Sequence, residues 1–148
     1  MATWIMVAHR AGARLYRHAP AAPAIELLRE YDNPDGRKRD GDFDADRPGR
    51  ADEGHGGLGR HAMRKKQTPT DHAAETFAKQ LASELQQGRT ARDFEEVMLV
   101  AAPAFLGRLR AAMDDATVAK ISSSVAKDFA SVGDHELRKR LAELLAAK

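Results

Sequence analysis

The run Val97-Met98-Leu99-Val100-Ala101 constrains this chain most: five consecutive apolar residues with no polar face. A half-exposed strand alternates apolar with polar, whereas one that is apolar throughout is buried on both faces, as in a parallel sheet covered by helices. Parallel neighbours need long crossovers, and both flanks supply helical ones. Upstream, Ala74, Phe77, Ala78, Leu81, Ala82 and Leu85 recur at i, i+3, i+4, i+7, i+8 and i+11, one face of a helix. Downstream, Pro103 opens a second helix with Phe105, Leu106, Leu109 and Met113 along one side. The spacing predicts α-β-α with Val97–Ala101 at the centre of a sheet.

The upstream helix has clear boundaries. Thr68 is placed to cap it, Pro69 suits its first position and Asp71 falls three residues after the cap, a capping box. Gly88 is expected to stop it. After the second helix, Ala116 to Val125 leads into a strand in which Ile121, Ser123 and Val125 alternate. Asp134 is expected to cap a last helix carrying Leu137, Leu141, Leu144 and Leu145.

The N-terminal third reads as strands. Thr3 to His9 is short, apolar and rich in β-branched and aromatic residues. Arg10-Ala11-Gly12-Ala13 supplies a turn in which Gly12 can take the positive φ of a tight hairpin. Arg14 to His18 places Leu15 and Arg17 on one face, with Arg14, Tyr16 and His18 on the other. Ala24 to Tyr31 follows as a third strand, with a helix as the competing reading, and Asn33-Pro34-Asp35-Gly36 ends it in a turn. The order is β-β-β, a long loop, then α-β-α-β-α. An antiparallel meander followed by crossovers gives an α/β fold with a ribonuclease H-like mixed sheet. At 148 residues this is one domain, 1–148.

The loop, residues 32 to 67, lacks any apolar period. Residues 32–46 hold six acids against three bases, leaving −3, and 47–66 hold six bases against two acids, leaving +4. That composition predicts a mobile segment in the free protein. Arg47, Arg50, Arg60, Arg64, Lys65 and Lys66 form the basic half. Clustered cations of this kind are the electrostatic footprint of nucleic-acid binding, although a solvated, self-neutralising loop is an equal reading of charge alone.

Catalytic constellations are missing. Two-metal phosphodiester cleavage needs carboxylates at strand ends, and Thr3–His9 has none. His55, His61 and His72 are spaced by 6 and 11, which matches no helical ligand pair, so they read as exposed loop histidines and no metal site is expected. Gly54 to Arg60 contains four glycines but does not end in the Gly-Lys-Ser/Thr of a phosphate-binding loop. Ser122, Ser123 and Ser124 read as strand surface. With no cysteines, disulfides and thiol chemistry are excluded. No run approaches the roughly 18 apolar residues of a membrane span, and the N-terminus does not read as a signal peptide. The expectation is a cytoplasmic chain that binds no cofactor and no membrane. The pattern sets no oligomeric state.

Several stretches then fall into a familiar series: Thr3-Trp4-Ile5-Met6-Val7-Ala8, Asp46-Arg47-Pro48-Gly49-Arg50, Gly59-Arg60-His61-Ala62-Met63, His72-Ala73-Ala74-Glu75-Thr76-Phe77-Ala78, Leu99 to Gly107 (LVAAPAFLG), and Lys127-Asp128. Taken together they resemble the host attachment protein family, also described as bacterial relatives of archaeo-eukaryotic peptide-chain release factors. The resemblance covers essentially the whole chain. It implies the ribonuclease H-like central domain of those factors, whose long loop carries a Gly-Gly-Gln tip that promotes peptidyl-tRNA hydrolysis. Gly56 and Gly57 stand at the corresponding place, but Leu58 replaces the glutamine and has no amide to position water. The implied role is therefore contact with the ribosome, rRNA or tRNA without peptidyl-tRNA hydrolysis, made through Arg47, Arg50, Arg60, His61, Arg64, Lys65 and Lys66. The alternative is a non-enzymatic protein-interaction module supporting attachment to host cells. The missing export signal argues against direct contact with a host.

Overall fold

The computed structural model describes residues 2–20, 22–37 and 68–147. Among them, five strands form one mixed sheet: β1 (Thr3–His9), β2 (Gly12–Ala19), β3 (Ala22–Asp32), β4 (Glu96–Ala101) and β5 (Ile121–Ala126), in the order β3-β2-β1-β4-β5. The first three run antiparallel to one another, while β4 lies parallel to β1 and β5 parallel to β4. The apolar run sits in β4, and Val97 to Ala101 are at most 1% exposed. Its flanking strands and helices remove water from both faces, as an unbroken apolar strand requires.

Among the described residues four α-helices accompany the sheet: α1 (Pro69–Thr90), α2 (Pro103–Ala112), the single turn α3 (Asp115–Val118) and α4 (Asp134–Ala146). Helix α1 starts on the expected capping box. The Asp71 N–H donates to Thr68 Oγ1 at 3.0 Å, and the Thr68 N–H donates to Asp71 Oδ2 at 3.5 Å. All six residues of its apolar stripe are buried. They pack with α2 and one face of the sheet, where Trp4 meets Phe94 at 4.8 Å and Phe77 meets Phe105 at 6.0 Å between ring centroids. On the opposite face Leu137 and Leu141 of α4 cover Ile5, Val7, Tyr16, Met98 and Val100.

Four local expectations fail. Gly12 is the first residue of β2, paired with His9, and does not take a positive φ; the hairpin turns at Arg10 and Ala11. Gly88 does not stop α1. It is buried inside the last turn because a Cβ there would lie 2.5 Å from Trp4 Cη2, so the glycine makes room for the indole. The helix ends two residues later, and Arg92 takes the left-handed conformation at φ 59°. Asp134 is the first residue of α4, not its cap; Gly133 holds that position. The aspartate instead accepts from Tyr16 Oη at 2.7 Å and from Arg138 Nε at 3.0 Å. Finally, α3 interrupts the stretch read as leading directly into β5. Its one turn is capped by Asp114, which accepts from the Thr117 N–H at 3.2 Å. The third strand is a strand, and the competing helix is excluded.

Candidate functional site

In an open α/β sheet, ligands collect outside the carboxyl ends of the strands, where the strand order reverses. Here that point lies between β1 and β4: the chain leaves β1 toward β2 on one side, and the parallel pairing continues on the other. A cleft of about 500 Å³ opens there. Its lining includes His9 and Arg10 from the end of β1, Thr70 and Asp71 from the start of α1, Arg108 from α2, and Asp128 beyond β5.

The β1–β2 turn that forms one wall is fixed from below. Asn33 Nδ2 donates to the Arg10 carbonyl at 2.7 Å, and the Asn33 N–H donates to the Ala11 carbonyl at 2.9 Å. A Cβ on Gly36 would collide with the same Arg10 carbonyl, so only glycine lets the Pro34–Arg37 3-10 turn approach this closely. The Ala11 N–H donates to His9 Nδ1 at 3.2 Å. That bond assigns the proton of the neutral ring to Nε2, which makes Nε2 a donor.

Across the cleft, Arg108 joins the two helices. Its Nη2 donates to Asp71 Oδ1 at 3.0 Å and its Nη1 to the Asp71 carbonyl at 3.3 Å. Asp128 Oδ1 accepts from the Ala130 N–H at 2.9 Å. The Arg10 side chain is exposed and makes no ion pair with a described residue. Both α1 and α2 begin at the cleft, and their amino ends add positive potential; α2 starts at Ala102 without a side-chain cap. The site therefore holds cationic donors and two carboxylates, one of them already committed to Arg108. Among the described residues no group of three or more His, Asp or Glu side chains is placed to hold a metal.

The residues singled out in the sequence are distributed differently. Gly56, Gly57 and Leu58, together with Arg47, Arg50, Arg60, His61, Arg64, Lys65 and Lys66, lie outside the described residues, as do His55 and nearly all of the 32–67 loop. His72 is exposed on α1. What the fold does place is the attachment of that segment: Gly36 on one side and Thr70 on the other both line the cleft. No local pattern marks His9, Arg10 or Arg108 as site residues. Each is an ordinary strand-end or helix residue in the sequence, and only the sheet order brings them to one opening.

The family model described as "Protein required for attachment to host cells" matches residues 4–141. No curated protein matches the chain. Among solved structures, one named only "Archaeal protein" aligns over 99% of this chain at 10% identity and a TM-score of 0.46. This chain spans 38% of that protein's length. No helix among the described residues is long and apolar enough to cross a membrane. With the family match running from β1 into α4, the chain belongs to the family of proteins required for attachment to host cells.

Proposed function

We propose that this chain is a non-enzymatic binding domain that contacts ribosomal or transfer RNA through the basic stretch Arg47 to Lys66. The observation that carries the reading is the rooting of that stretch. Gly36 and Thr70, which lie just before and just after the cation-rich stretch 38–67 in the chain, both line the cleft at the carboxyl ends of the sheet. The strand order, three antiparallel strands followed by two parallel ones, supports a ribonuclease H-like relationship to the release-factor central domain. Within this reading Arg47, Arg50, Arg60, Arg64, Lys65 and Lys66 pair with phosphates, and His61 adds a ring donor. Leu58 in place of glutamine leaves no group to position water, so the domain binds without releasing a peptide. The binding takes place in the cytoplasm.

A second reading, a protein-interaction module acting in attachment, is favoured by the family description itself. Sedimentation on sucrose gradients separates the two. Wild type is compared with a variant carrying Arg60→Ala, Arg64→Ala, Lys65→Ala and Lys66→Ala, at low and moderate salt. RNA contact predicts cosedimentation with ribosomes that the quadruple change abolishes and that added salt weakens steeply. Absence of cosedimentation at either salt removes the RNA reading; RNA-free copurification with one defined protein then establishes the second.

A further inference from the structure

We propose that the cleft at the carboxyl ends of β1 and β4 binds a sugar phosphate, with the phosphate on Arg10 and Arg108 and a sugar hydroxyl on Asp128. Arg10 is the first observation. Its backbone is pinned by Asn33 at 2.7 Å, while its guanidinium has no partner among the described residues. Arg108 is the second. Two of its five N–H donors are occupied by Asp71, at 3.0 and 3.3 Å, which orients the fork and leaves the rest for a ligand. Guanidinium donors match phosphate oxygens in geometry as well as charge.

Asp128 decides the rest of the ligand. A carboxylate in the same opening repels a bare anion, so a matching ligand brings a donor to it. Asp128 Oδ1 is held by the Ala130 N–H at 2.9 Å, which leaves Oδ2 to accept. A phosphate ester of a sugar supplies both the anion and the hydroxyl. The volume of about 500 Å³ accommodates a mononucleotide and falls within the roughly 300–1,000 Å³ of ligand sites.

A second cleft, of about 690 Å³, lies beside Trp4, Gly88 and Arg92 at the other end of α1. There the last carbonyls of the helix carry partial negative charge. An anion is favoured at the amino end of α1 and disfavoured at its carboxyl end.

Sugar phosphate has two sources, a free nucleotide and an RNA strand. A strand-borne group would deepen the RNA reading; a free nucleotide stands apart from it. Isothermal titration calorimetry on the full chain with adenosine, adenosine monophosphate, inorganic phosphate and a uridine hexanucleotide distinguishes them. Wild type is expected to bind the monophosphate or the hexanucleotide, and to bind adenosine much more weakly. Arg10→Ala, at an exposed side chain without partners among the described residues, should weaken that binding about tenfold or more, as loss of a charge-assisted bond does. Asp128→Asn should weaken the nucleotide and spare inorganic phosphate. Preference for the monophosphate names the free source, and binding of the hexanucleotide alone names the strand. The proposal fails if wild type binds none of these, or if Arg10→Ala binds as wild type does. It also fails if the quadruple 60/64/65/66 variant loses monophosphate binding, because the phosphate would then sit outside the cleft. That same variant tests ribosome contact separately, so the two ideas fail independently.

Discussion

The two faces of the sheet are built by different physics. On the side of α1 and α2, eighteen of the described residues form one apolar cluster, and its largest members meet as ring pairs and interleaved leucines. On the side of α4 the cluster holds nine, and much of the docking is polar. Tyr16, fully buried in β2, donates to Asp134 at 2.7 Å; the Arg138 Nε–H is shared between both oxygens of the same carboxylate, and its Nη1 donates to the Ile25 carbonyl at 2.9 Å. Arg14 reaches the Val132 carbonyl at 3.2 Å. Apolar burial is non-directional and cooperative across a large cluster, whereas a polar tie fixes orientation and contributes about 1 kcal/mol net per bond. The α1 face therefore supplies stability and the α4 face supplies register. A fold of this kind should open from the α4 side first.

The largest test sets two fully buried leucines against each other. Leu81 lies in the centre of α1 and Leu141 in α4, both at 0% exposure. Truncating either to alanine should cost about 2–5 kcal/mol, but the routes differ. Leu81→Ala is expected to lower hydrogen-exchange protection throughout β1, β4 and α1 together. Leu141→Ala should lower it first in α4, leaving the central strands protected by nearly the full unfolding free energy. Equal loss of protection across the sheet in both variants would erase the distinction between the faces.

A smaller effect comes from alkaline pH, because each face carries one tyrosine whose hydroxyl meets a carboxylate. Burial, reinforced by Asp134, pushes Tyr16 from its ordinary 10.0 up to about 12. Burial, reinforced by Glu84, pushes Tyr31 to about 12 as well. A raised folded-state value means that the stabilisation is complete below pH 10 and is lost as pH rises through 12. Tyr16→Phe should cost about 1 kcal/mol at neutral pH and flatten the decline between pH 10 and 12. Tyr31→Phe removes a bond to Glu84 at 3.1 Å from a side chain that is only half-buried, whereas Tyr16 is fully buried, so its neutral-pH cost should be smaller. At acid pH the α4 tie fails by a second route. Asp134 is held below the usual 3.8, first by the Tyr16 hydroxyl and then by Arg138, so its contribution is present above that value and fades as pH falls. Denaturant midpoints of both variants across pH 3 to 12 would show whether the α4 face governs both limbs.

The difference between the faces also explains what the sequence disclosed. The α1 stripe, its capping box and the unbroken β4 run are patterns of near neighbours in the chain, and all of them stand in the fold. The Tyr16–Asp134 bond joins residues 118 apart, and no local pattern announces it. Asp134 looked like a cap because aspartate before a helical run usually is one; a distant hydroxyl and a neighbouring arginine claim it instead. The cleft was hidden for the same reason. His9, Arg10 and Arg108 become neighbours of one opening only when β1 and β4 pair. In the sequence Gly36 and Gly88 look like chain punctuation, yet both serve close packing, which depends on what arrives from elsewhere.

The smallest predicted effect tests the carboxyl end of α1, where the dominant face is locally imperfect. The Arg92 N–H donates to the Arg89 carbonyl at 3.0 Å and the Asp93 N–H to the Gly88 carbonyl at 2.8 Å. Those two bonds form the Schellman arrangement, whose left-handed residue is usually glycine. Here it is Arg92 at φ 59°. A non-glycine residue in that conformation costs roughly 1–2 kcal/mol, of which glycine's freer unfolded chain gives back roughly 0.4–1. The guanidinium near the last helical carbonyls recovers about 0.3–1 more. Arg92→Gly should therefore change stability by no more than about 1.3 kcal/mol in either direction, stabilising if strain outweighs chain entropy and charge together. Arg92→Lys keeps both the strain and the charge and should match wild type. A gain in Arg92→Gly that grows with added salt would isolate the strain, because screening removes what arginine contributes to the helix end. A loss of more than about 1.3 kcal/mol would mean instead that the arginine side chain itself helps hold α1 against the sheet, and the apolar face would then depend on a polar tie of its own.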